Sequence, residues 1–137
     1  MKKKNIIKIL GILSGLLIVL GVFFPFIKTG EISTSLWNIF LNNKQIYLSI
    51  IIIVFGLIPI VLYFIDKNIE YSYASSGSLL FFIAVEIYGT VSKLGFQTLN
   101  LGFYLILFGV LLNIIVTTIS VKKEKLEDHS NKNIEDK

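Results

Sequence analysis

The residue with the greatest chemical potential is Glu86, a lone carboxylate in an otherwise uncharged run from Tyr71 to Ser92. An ionised carboxylate held in hydrocarbon is costly, so such a group is paired, protonated or turned towards a polar interior. Its expected neighbours in an intramembrane polar cluster are Asn113, Thr90 and Ser49, with Lys93 two turns further along the same helix face. Such a cluster would handle a proton or a cation, or would fix the register of the helices that carry it.

Other chemistry is sparse. There is no Cys, which excludes disulfides, thiol catalysis, cysteine-held zinc and lipid anchors on sulfur. His129 is the only His and stands in a polar tail, where one imidazole cannot make a zinc site. Neither an HExxH pair, a phosphate-cradling glycine loop, a nucleophile elbow nor paired intramembrane aspartates occur. Ser75 and Ser76 have no His or Lys base within reach on their own helix. No catalysis, metal or cofactor is therefore expected. All 13 basic residues are Lys, a poor bidentate reader of phosphates and base edges, so nucleic acid is not an expected partner either.

A second group of interest lies between Lys28 and Lys44, where Trp37 is the only Trp of the chain. Leu36, Phe40 and, less well, Trp37 suit one face of a short helix lying on a membrane surface. That face would serve as an interfacial anchor or as a docking surface for an extracellular partner.

What must position these residues is a set of apolar blocks. The chain has 137 residues, 54% of them hydrophobic, and a mean hydropathy of +0.77, too apolar for a soluble domain of this size. Each of four blocks is long enough to cross a hydrocarbon core of about 30 Å as a helix. The predicted spans are residues 6–27, 45–65, 71–92 and 99–121. Alternating polarity of the kind that marks barrel strands is absent. The first block follows Met1-Lys2-Lys3-Lys4, but it is longer than a signal core and no Ala-x-Ala-like site follows it, so it reads as a retained span.

Lysine placement sets the orientation. With both ends inside, ten lysines fall on the inner side, and only Lys28, Lys44 and Lys93 on the outer. Three spans would put Lys122, Lys123 and Lys125 outside, whereas four satisfy both ends. The expected fold is all-α, a four-helix antiparallel transmembrane bundle with cytoplasmic termini. Residues 1–121 form its one domain. Residues 122–137 form a charged tail, expected to be a fraying helical extension that passes into disorder.

Small and polar residues must hold such helices together, because lipid is as apolar as Leu. Each span carries such a stripe. Gly11, Ser14, Gly21 and Pro25 share a face of the first, and Gln45, Ser49, Gly56 and Tyr63 a face of the second. Ser72, Ser75, Glu86, Thr90 and Lys93 share a face of the third, and Gly102, Gly109, Asn113, Thr117 and Ser120 a face of the fourth. The stripes are expected to meet in one interior. Pro59 should bend the second span, as a static kink or as a hinge.

With four short spans and one membrane carboxylate, the chain resembles the small multidrug resistance transporters. That family is shorter and carries its glutamate on the first helix rather than the third, so no residue is carried over. In size, lysine richness and lack of motifs it is similar in type to the membrane-embedded immunity proteins that protect Gram-positive bacteria from their own bacteriocins. Lys and Asn in place of Arg fit an AT-rich bacterial genome. Two functions are therefore expected in competition. The first is a non-enzymatic accessory, immunity or regulatory protein of the bacterial plasma membrane, acting through contacts with another membrane protein or an extracellular peptide. The second is a small transporter or channel subunit built around Glu86.

Overall fold

The structure, a computed structural model, describes the backbone of residues 2–43 and 46–135. Within these it describes all side chains except those of residues 2–4, 86, 87, 90, 91, 94, 96, 124, 125 and 127–135. The chain is mostly helical. It runs α1 (Lys2–Phe23), β1 (Pro25–Thr29), β2 (Ile32–Ser35), α2 (Leu36–Asn42), α3 (Ile46–Ile65), α4 (Ser72–Leu94) and α5 (Leu101–Glu135). Short 3₁₀ turns at Ile69–Tyr71 and Phe96–Thr98 precede α4 and α5.

Among the described residues, three helices are long and apolar enough to cross a membrane: Asn5–Phe23, Ile46–Ile65 and Leu101–Lys123. The predicted 71–92 span corresponds to α4, which is 23 residues long but is not one of these three. Residues 86, 87, 90, 91 and 94 of α4 lie outside the described side chains, and its uninterrupted described run, 72–85, is shorter than a membrane span.

Among the described residues the long helices pack in the cyclic order α1–α3–α4–α5. Neighbours are antiparallel, since Gly11 meets Tyr63 while Gly56 meets Ile18, and Gly21 meets Gly102 while Gly109 meets Ser14. The start of α1 and the far half of α5 therefore share one end of the molecule. Most of the described stripe residues turn inward: Gly11, Ser14, Gly21, Ser49, Gly56, Tyr63, Ser72, Ser75, Gly102, Gly109, Asn113 and Thr117 are buried, whereas Pro25 and Ser120 are half-buried and Lys93, in the last turn of α4, is exposed.

Backbones approach closely at two glycine pairs. A Cβ on Gly15 would lie 2.5 Å from the Gly56 carbonyl oxygen, and one on Gly102 would lie 2.5 Å from that of Phe24 and 2.7 Å from that of Gly21. No side chain fits at such distances without moving a backbone. Helices that lack a hydrophobic drive towards one another gain instead from this contact.

The other end is closed by a cap that an all-helical reading does not contain. β1 and β2 form an antiparallel hairpin, with Thr29 opposite Ile32. Gly30 sits at the first position of the two-residue turn with φ of 63°, as a II′ turn requires. The expected first span, to residue 27, stops at Phe23, because Pro25 disfavours helical backbone in the residue before it. The hairpin is sewn to the approach to α5: Ile27 bridges to Leu99, and the Asn100 N–H donates to the Phe26 carbonyl at 2.9 Å.

Next to the hairpin, α2 starts at Ser35, whose Oγ accepts from the Asn38 N–H at 3.3 Å. The short helix was expected. Its Leu36–Phe40 face, however, is turned into the protein rather than laid on a surface, and both residues are 3% exposed. The reason is an uncovered core beneath it. Phe40 packs edge-on against Phe82 of α4, with ring centroids 6.2 Å apart, and Ser49 Oγ donates to the Leu36 carbonyl at 3.4 Å.

At the opposite end, α5 continues as one helix to Glu135. No Gly or Pro follows Gly109 to stop it, and extending a formed helix needs no new nucleus.

Gly102→Val should therefore destabilise by about 1–3 kcal/mol or more through overpacking. Gly77→Ala, where a Cβ meets nothing within 4 Å, should be neutral or slightly stabilising. Thermal unfolding of the two variants in mild detergent checks this, and equal melting temperatures would contradict the close α1–α5 contact.

Candidate functional site

Most of the buried polar residues among those described gather in the half of the molecule nearest the termini, while Ser35, Ser49 and Thr98 lie near the cap. Asn113 of α5 is fully buried and stands at the centre. Its Nδ2 donates to Ser76 Oγ at 2.7 Å and to the Ser72 carbonyl at 3.3 Å, both on α4. Both amide hydrogens are thereby used. Its Oδ1 accepts from Ser14 Oγ of α1 at 3.4 Å and, one turn along α5, from Thr117 Oγ1 at 3.5 Å. Thr117 in turn meets the Tyr63 hydroxyl of α3 at 2.9 Å. One chain of polar contacts thus touches all four long helices. Ser14 Oγ also lies 2.6 Å from the Gly11 carbonyl of its own helix. Ser72 Oγ is buried with no hydrogen-bond partner among the described residues.

A second polar contact repairs the proline. Pro59 lies inside α3 and has no N–H, so the Phe55 carbonyl one turn earlier loses its helical partner. Ser75 Oγ of α4 donates to that oxygen at 2.6 Å. In an apolar solvent this matters more than in water, since nothing else would satisfy the oxygen. The neighbouring helix supplies the donor that the proline removes.

Of the residues singled out from the sequence, Asn113 is at the centre of this network. Ser49 is three residues into α3, at the opposite end, bonded to the Leu36 carbonyl. The two therefore belong to separate hydrogen-bonded groups. The side chains of Glu86 and Thr90 lie outside the described residues, although their backbone belongs to α4. Trp37 is half-buried, its ring tilted over Phe23 with centroids 5.4 Å apart. Leu36 and Phe40 are core residues. On the cap, the large apolar side chains open to the outside are instead Ile32 at 73% and Leu41 at 54% exposed.

The sequence reading missed the partnership of Asn113 with Ser76, Ser14 and Tyr63–Thr117. Ser14, Tyr63, Ser72 and Thr117 were legible as members of inward faces. Which faces met at which level was not. Among the described residues, no three His, Cys, Asp or Glu side chains are grouped to hold a metal. The network is neutral throughout, made of hydroxyls, one amide and backbone carbonyls, a set suited to fixing helix register.

No protein-family model, curated protein or solved structure matches the chain.

Two outcomes follow from the polar contacts. Asn113→Leu leaves Ser76 and the Ser72 carbonyl without their donor and should cost about 1–3 kcal/mol. Ser75→Ala should cost about 1 kcal/mol in the native chain, but far less in a Pro59→Ala background, where the N–H of residue 59 can reach Phe55 again. Denaturant unfolding of the four members of that cycle measures the coupling. Strictly additive costs would show that Ser75 does not compensate for the proline.

Proposed function

We propose that the chain is a four-span protein of the bacterial plasma membrane, with both termini in the cytoplasm and the hairpin–α2 cap on the outer face. We propose further that it works without catalysis, as an accessory, immunity or regulatory protein that binds another membrane component or an extracellular peptide through that cap.

The observation that carries this reading is the way the cap is held. Aromatic pairs tie it to α1 (Phe23–Trp37, 5.4 Å), to α5 (Phe26–Phe103, 5.8 Å) and to α4 (Phe40–Phe82, 6.2 Å), and Ser49 ties it to α3. Each such pair contributes about 0.5–1.5 kcal/mol beyond its buried area. A segment fixed to all four long helices is a rigid platform, and this one presents Ile32, Leu41 and one edge of Trp37 outward. Apolar side chains on a rigid polar-rimmed surface are a common binding arrangement. Further support comes from the interior, where the Gly15–Gly56 and Gly21–Gly102 approaches bring backbones into contact. Helices held that closely favour a packed scaffold over a conduit. α4, of spanning length and antiparallel to its neighbours, is the fourth span of this reading, and the lysine bias sets its orientation.

Photocrosslinking in the native membrane tests the reading. A photoreactive residue in place of Ile32 or Leu41 should give a discrete adduct of raised mass, and the same residue in place of Phe64, at the opposite end, should not. Reconstituted liposomes should show no proton or cation flux that Glu86→Gln abolishes. A Glu86-dependent flux, together with no cap adduct, would replace this reading with the transporter.

A further inference from the structure

We infer that the end of the molecule carrying the termini is a binding surface for the headgroups of anionic phospholipids. This rests on the membrane placement proposed above and goes beyond it, since a lysine bias orients a protein without requiring that it retain particular lipids.

Three separate segments bring lysines to that end. The start of α1 supplies the run 2–4 and Lys8. Lys8 Nζ lies over the Phe64 ring of α3, 5.6 Å from its centroid, which fixes the two helix ends at one level. The turn between α3 and α4 supplies Lys67, exposed between Asp66 and Asn68, whose φ values of 60° and 51° are left-handed. Asp and Asn are the side chains that tolerate this backbone best, and the pair makes the reversal abrupt. The 3₁₀ turn that follows packs against α5, which supplies Lys122, Lys123 and Lys125 just past its apolar stretch.

The charges are also sorted by level. Within about one helical turn of the predicted spans at this end there are eight lysines against three acids, Asp66, Glu70 and Glu124. Beyond Lys125 the balance reverses, with Glu127, Asp128, Glu135 and Asp136 against Lys132 and Lys137. α5 extends helically to Glu135 and so carries its acidic part away from the basic band rather than back across it. Phosphates of a membrane surface lie at the level of the lysines. A solvated tail that only kept the protein soluble would need no such order. Lysine suits a phosphate layer, because its long stem lies along apolar surface while the ammonium reaches outward, and it acts as a point charge that does not require bidentate geometry.

The test uses the full chain extracted in a mild nonionic detergent and offered equimolar phosphatidylglycerol and phosphatidylcholine, with bound lipid counted by native mass spectrometry. Phosphatidylglycerol should be retained preferentially, and each lysine near the phosphate level should contribute about fivefold to that preference. The triple variant Lys67→Gln, Lys122→Gln, Lys123→Gln should lose more than about tenfold of it while melting at the native temperature. Raising salt to about 0.5 M should shrink the preference of the unaltered chain, an arm that needs no variant. Lys28→Gln with Lys93→Gln, at the other end, should leave it intact. Equal retention of the two lipids, a preference indifferent to salt, or a preference lost only in the Lys28 and Lys93 variant would overturn the inference. If the membrane placement itself is wrong, the chain is recovered without detergent, a result separate from all of these.

Discussion

Helices in lipid gain nothing from hydrophobicity by touching one another, so everything here depends on how closely two backbones can approach. α1 meets α3 at Gly15 and Gly56, and meets α5 at Gly21 and Gly102, with no room at either place for one more carbon. Each contact places a whole helix face in register with its neighbour. The aliphatic side chains around them, such as Ile18, Val22, Ile52, Ile106 and Val110, then fill the remaining space. Were the glycines replaced, the helices would separate and the polar contacts between them would lengthen beyond use.

The polar contacts follow from a second constraint. Where water is scarce, every carbonyl, hydroxyl and amide must find its partner within the protein. The pairing of Ser75 with the carbonyl freed by Pro59 illustrates this, because α4 supplies the donor that α3 lacks there. Asn113 applies the same rule across four helices and ties α4 to α5 through Ser76 and the Ser72 carbonyl. The cap completes the set at the other end, where aromatic pairs act beside the hydrogen bonds of Ser49 and Asn100. Glycine contacts, one polar network and an aromatic clamp thus divide the length of the molecule between them.

Much of this was legible in the residues. Long uncharged blocks revealed the apolar helices, and the spacing of small and polar residues revealed which face of each turns inward. The hairpin was not legible, for a physical reason. Phe24, Phe26 and Ile27 continue the apolar run of α1 without a break, so hydropathy alone extends the helix past Pro25. The strand signal lies in Ile27, Thr29, Ile32 and Thr34, β-branched residues placed about Gly30, and it is short and polar on one side. The α2 helix was visible, but its direction of burial was not, since an amphipathic face reads the same against a lipid surface as against a protein core. Asn113 stood out as a member of an inward face and an expected neighbour of Glu86. Ser76 did not, because nothing in one helix says which residue of another sits at its level.

The absence of Cys allows the central claim, a membrane-crossing bundle with its cap outside and its tail inside, to be tested by single introduced thiols. Ile32→Cys and Leu126→Cys occupy exposed positions at opposite ends. In intact cells a membrane-impermeant maleimide should label the first at once and reach the second only after the membrane is opened. Equal labelling of both before lysis, or labelling of residue 126 alone, would contradict the account.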